Sequence, residues 1–173
     1  MSGSPSIAGF FTQRLVVGIA EYAVAKASKT TVSTYALGSC IGVIAYDPSI
    51  HAGGMLHFML PDSTLSPEKA AAHPAMFADT GVPVFFNALK GLGVSRSHLR
   101  IFLAGGASVL EGPDNFRIGA RNIQAVRHLI NVYGCSIVGE QMGGLVNRSV
   151  HLSLENGVID LKEPNQRYKF QLS

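Results

Sequence analysis

The sequence predicts an α+β fold, with mixed, mostly antiparallel β-sheet and flanking α-helices. Runs rich in Val, Ile, Thr and Tyr recur between clusters of turn residues. Only two longer stretches repeat their apolar residues at steps of three and four. The resulting order is four strands, a helix, a strand, a helix and three strands, which does not alternate regularly enough for an all-parallel sheet.

The elements follow in order. Residues 1–12 are mostly small and polar and read as a flexible tail, leaving 13–173 as one domain. Leu15 to Val24 (LVVGIAEYAV) is a strand by its β-branched, apolar content, and Lys26 to Lys29 is a turn. Thr30 to Leu37 (TTVSTYAL) is a second strand, interrupted by Gly38-Ser39. CIGVIAYD opens a third strand at Cys40, Asp47-Pro48-Ser49 turns the chain, and GGMLHFML is a fourth strand ending at Pro61. Pro61 to Pro74 is a polar loop. Ala75 to Lys90 reads as a helix with Met76, Val82, Phe86 and Leu89 near one face, kinked or restarted at Pro83 and closed by Gly91 and Gly93. HLRIFLAGG is a buried strand ending at Gly106, and 107–116 is a loop rich in Gly, Pro, Asp and Asn. Ile123, Val126, Ile130 and Tyr133 mark a second helix over Ile118–Tyr133, ended by Gly134. CSIVGEQM, RSVHLSLE and VIDLK are the last strands, the final two joined by an Asn156-Gly157 hairpin turn.

Composition narrows the function. With 173 residues, 47% hydrophobic and 14% charged, the chain has the apolar content for a packed core. The net charge of +3 is spread without a Lys/Arg stripe, which argues against a nucleic-acid footprint and leaves a solvated surface able to favour an acidic partner. No apolar run approaches the ~20 residues of a membrane span, and the start lacks a secretory pattern, so a cytoplasmic protein without membrane insertion is expected. Two cysteines, Cys40 and Cys135, make no disulfide scaffold; reduced thiols are expected, with Cys135 in the core. The six histidines show no paired zinc spacing, and Gly105-Gly106 lacks a phosphate-loop pattern, so neither metal nor cofactor is expected.

The chemistry-bearing pair comes from hairpin arithmetic. If the turn centres on Pro48-Ser49, Cys40 stands opposite His57, with β-carbons about 4.5–5.5 Å apart on one face. A slip of one residue would separate them. A thiol beside an imidazole suits nucleophilic attack on a carbonyl, with histidine taking and returning the proton. Gly38 and Ser39 make a turn poor in side chains, whose neighbouring N–H groups suit a developing oxyanion. Thr34, on the preceding strand, is a candidate to orient the imidazole through its hydroxyl. The bland readings are a buried thiol, a core histidine and a strand threonine.

ALGSCIGVIAYDP followed by GGMLHFMLP, with ADTGVPVFFNAL, LAGGAS, IGARN and MGGLVNRSVHLSLENG, resembles the CheD family of chemoreceptor glutamine deamidases over about Leu15–Leu161. The resemblance implies a mixed-sheet fold and conversion of chosen receptor glutamines to glutamate in chemotaxis. It assigns Cys40 as nucleophile, His57 as base and Thr34 as the polar third residue. It also implies chemoreceptors as substrates and a CheC-type phosphatase as partner. Asn147 stands before Arg148 where the family usually has Gly, and LAGGASVL lacks a methionine after GGA. The competing readings are a non-catalytic CheD-like binding module and a cysteine hydrolase of another kind, such as a peptidase.

Overall fold

A computed structural model describes residues 12–109 and 116–173. The N-terminal tail expected over 1–12 therefore falls outside the described residues except for Thr12, as does most of the 107–116 loop.

In chain order the strands are β1 (Gln13–Val17), β2 (Glu21–Lys26), β3 (Thr30–Leu37), β4 (Ile41–Asp47) and β5 (Ala52–Phe58). Helices α1 (Pro67–Ala72) and α2 (Ala78–Gly91) precede β6 (Arg100–Gly105), and α3 (Ile118–Val132) precedes β7 (Ser136–Met142). The chain closes with β8 (Arg148–Ser153), β9 (Val158–Lys162) and β10 (Arg167–Gln171).

They form two five-stranded sheets, ordered β1-β3-β8-β9-β10 and β2-β5-β4-β6-β7. Among these ten described strands only β1–β3 and β6–β7 pair in parallel. The α+β expectation holds, and so does the mostly antiparallel pairing.

The second sheet is the middle layer. Its strand β4 is buried along its whole length, because Val43 and Ala45 face the helices while Ile44 and Tyr46 face the first sheet. Between the sheets pack Val17, Val32, Met55, Phe102, Val150 and Leu161. On the other side Leu56, Phe58, Val82, Phe85, Val126 and Ile130 pack beneath α2 and α3. Each such side chain contributes about 1.5–3 kcal/mol by leaving water. Two apolar faces explain why β4 reads as a continuous hydrophobic run rather than an alternating one.

Several boundaries differ from expectation. Leu15–Val24 is not one strand: the chain turns at Gly18–Ala20, with Ala20 at φ 60°, and β1 and β2 enter different sheets. The apolar run hides this break, because both halves line buried surface. The 61–74 loop contains a 3-10 turn at Ser63–Leu65 and α1, which starts with Pro67 in its first turn, a position that needs no N–H partner. Helix α2 begins at Ala78, after a 3-10 turn over Pro74–Met76 and an extended, buried Phe77, and runs unbroken through Pro83. Strand β10 was not anticipated; Tyr168 and Phe170 alternate with the charged Arg167 and Lys169 and pack toward the inter-sheet core.

Candidate active site

His57 lies on β5 and points into the gap between the sheets, 1% exposed. Across that gap Thr34 of β3, with no exposure, places its hydroxyl 2.8 Å from His57 Nδ1. The same hydroxyl donates to the carbonyl of Val17 at 2.7 Å. A threonine has one O–H proton, and that proton is committed to Val17. Thr34 Oγ1 therefore accepts from His57 Nδ1–H, which leaves Nε2 as the lone-pair nitrogen. Nε2 is itself buried and has no hydrogen-bond partner. Burial lowers the histidine pKa to about 4, so the ring is neutral at neutral pH.

The hairpin register corrects the sequence arithmetic. Asp47 pairs with Ala52, not Ile50, and Gly42 rather than Cys40 stands opposite His57. The connection has four residues, Pro48 to His51. Asp47 Oδ1 accepts from Ser49 N (2.9 Å) and from its hydroxyl (2.6 Å), and His51 adopts φ 50°. Cys40 lies two positions beyond Gly42, just outside β4. A two-residue offset keeps the face, whereas one residue would reverse it. Cys40 accordingly packs against the inter-sheet cluster on the side His57 faces. Diagonal strand neighbours stand roughly 7–8 Å apart rather than 5 Å, and no hydrogen bond joins the thiol to the imidazole among the described residues.

The Cys40 backbone is held by its neighbours' side chains and loops. Gly38 O accepts from Ala107 N (2.8 Å), Ser39 O from Asn122 Nδ2 (2.9 Å) and Cys40 O from Gly106 N (2.8 Å). The N–H groups of Ser39 and Cys40 donate to no backbone carbonyl among the described residues. Burial pushes the Cys40 thiol pKa up, opposed by its own backbone N–H. At Gly105, φ is 109° and an added Cβ would lie 2.1 Å from the Cys40 carbonyl oxygen, so only glycine allows β6 this close.

Two residues at this end were not singled out in the sequence as site residues. Asn122, read there as a helix-opening residue, is fully buried on α3, and its amide bridges Ser39 O (2.9 Å) and Met59 O (2.8 Å). It thereby ties the residue before Cys40 to the strand end after His57. Its Oδ1 is buried without a partner. The available signal was spacing: Asn122, Val126 and Ile130 repeat every four residues on the buried face of α3. Arg148, 4% exposed, pairs with Glu163 at 2.9 Å and donates to the carbonyls of Gly143 (2.8 Å) and Gly105 (3.4 Å). It braces the loop ends beside Cys40.

Cys40 and Cys135 are both free thiols. Among the described residues no group of three or more His, Cys, Asp or Glu side chains is placed to hold a metal ion. No described helix is long and apolar enough to cross a membrane.

Residues 59–163 match the family model described as CheD chemotactic sensory transduction. That span begins two residues after His57, so neither His57 nor Cys40 lies within it. A relative from Solibacter usitatus is 42% identical over 151 residues, covering 87% of this chain and 89% of its own. Another from Syntrophus aciditrophicus is 42% identical over 148 residues, with 86% and 92% covered. A relative from Pyrococcus abyssi is 34% identical over 154 residues, with 88% and 93% covered. The first and third carry the name "Probable chemoreceptor glutamine deamidase CheD", and the second the same name numbered CheD 1. Coverage this long includes both Cys40 and His57 wherever each alignment begins.

Proposed function

This chain belongs to the CheD family, with a role in chemotaxis, and from that premise we propose that it deamidates glutamine side chains of chemoreceptors in the cytoplasm, with Cys40 as nucleophile and His57 as base. The observation that carries the proposal is the Val17–Thr34–His57 relay. It fixes the imidazole tautomer and leaves an unpartnered Nε2 on the face that Cys40 shares.

His57 Nε2 takes the thiol proton, directly or through one bridging water. Sulfur attacks the carboxamide carbon, and the N–H groups of Ser39 and Cys40 receive the developing oxyanion, with Gly38 supplying the unencumbered turn. The proton on Nε2 passes to the departing nitrogen, which leaves as ammonia while the C–N bond breaks and a thioester remains on Cys40. Nε2 then takes a proton from water, whose oxygen adds to the thioester carbon. The C–S bond breaks, the thiol recovers its proton, and glutamate is released. Thr34 orients the ring and Asn122 holds the Cys40 backbone in register with the end of β5. Neither touches substrate.

One observation favours a second reading, a binding module for a receptor or a CheC-type phosphatase: thiol and imidazole are not hydrogen-bonded. The two separate on incubation with receptor cytoplasmic fragments and mapping of glutamine-to-glutamate changes by mass spectrometry. The enzyme converts specific glutamines, and Cys40→Ala converts none. Equal conversion with and without Cys40 rejects the catalytic reading. Chain cleavage in place of deamidation would make the protein a peptidase.

A further inference from the structure

The helices pack against the second sheet, so the outer face of the first sheet has no described element over it. Strand alternation turns Arg14 of β1, Lys162 of β9, and Arg167 and Lys169 of β10 onto that face. They border a depression of about 520 Å³. On its floor His151 Nδ1 is 2.7 Å from Ser33 Oγ, and the Tyr35 ring meets the His151 ring edge-on with centroids 5.4 Å apart.

Charge is unbalanced there. Asp160, the acidic side chain in the lining, is held by Arg167, with Nε to Oδ1 at 2.7 Å. Arg14, Lys162 and Lys169 have no ion-pair partner among the described residues. Arg14, Lys162, Arg167 and Lys169 line the one depression around His151, whose pKa is lowered by burial, raised by Asp160, and lowered further by Arg14, Lys162 and Arg167. Uncompensated like charges repel one another, and a partner of opposite sign relieves that repulsion.

We propose that this face is a docking surface for an acidic segment of the protein substrate. The choice of a protein rests on the deamidation reading, whose substrate is a protein. It also fits the lining, where the Thr31, Tyr35, Ser153 and Asn156 side chains offer hydrogen bonds between the cations. The face shares β3 with Thr34: Ser33 and Tyr35 project outward and Thr34 inward, so a partner seated here lies one sheet away from the catalytic pair.

The test uses the full chain with fluorescein-labelled poly-L-glutamate, followed by anisotropy at rising salt. Binding is expected to weaken with salt and to fall by about tenfold in K162E/K169E and less in K162Q/K169Q, while K90E, at the far end of α2, binds as wild type. With receptor fragment as substrate, K162E/K169E is expected to raise KM with kcat unchanged. No salt-dependent binding, an equal loss in K90E, or capture of phosphatidylglycerol vesicles in place of the peptide overturns the proposal. Wild-type chain that binds the peptide but deamidates no receptor fragment rejects the deamidation reading and leaves an acidic-protein surface. Wild-type turnover with KM indifferent to K162E/K169E rejects the surface alone.

Discussion

The imidazole of His57 sits inside a regular ladder, paired across the sheet to Gly42 and bonded across the inter-sheet gap to Thr34. The thiol of Cys40 stands one residue outside that ladder, on a bend whose carbonyls are tied to Gly106, Ala107 and Asn122. The imidazole is thus placed by packing and the thiol by loop hydrogen bonds. Changes around His57 should disturb the core as well as turnover, while changes around Cys40 should act on turnover with less cost to folding.

The sharpest contrast is between the two residues themselves. Cys40→Ala removes one half-buried sulfur and is expected to abolish deamidation while shifting thermal unfolding little, measured by mass mapping and a melting curve. His57→Gln is expected to lower kcat by about 10²–10⁴-fold and also to alter acid stability. The folded-state pKa of His57 is depressed to about 4 from 6.5. Between those values the unfolded chain holds a proton that the folded chain does not, so stability is complete above about 6.5 and is lost as pH falls toward 4. The effect is on the order of 3 kcal/mol, and His57→Gln should flatten that part of a denaturant-midpoint series.

Smaller effects are expected at Thr34 and Asn122, which hold the imidazole and the Cys40 backbone. Thr34→Val keeps the shape but leaves His57 Nδ1–H unpaired, at a cost of about 1–3 kcal/mol. Turnover should fall by about tenfold or more, and Thr34→Ser should recover most of it. Normal turnover in Thr34→Val would reduce Thr34 to a structural residue. Asn122→Ala frees Ser39 O and Met59 O; kcat is expected to fall about tenfold with KM unchanged, alongside a loss of about 1–3 kcal/mol. A change confined to KM would show that Asn122 does not position the nucleophile.

These particulars also mark where sequence reasoning succeeds. Strands β3 and β9 were legible at their observed limits, because turn residues bracket short β-branched runs. The Gly18–Ala20 crossover was not, since apolar content continues through it and only the left-handed Ala20 marks the break. The meeting of Thr34 with His57 was legible, as was the face shared by Cys40 and His57. Their register was not, because the hairpin loop length depends on Asp47 capping Ser49 and on the conformation of His51. The two-residue error survived because strand side chains repeat every two positions. Asn122 escaped because its role lies in two backbone carbonyls distant in sequence.

The sulfur of Cys40 is expected to carry the acyl group. The full chain, mixed with a short glutamine-containing receptor peptide and quenched in acid within the first turnover, should gain the peptide's mass less ammonia, with the adduct on Cys40 and absent from Cys40→Ala. An adduct on Cys135, or continued turnover in Cys40→Ala, would contradict it.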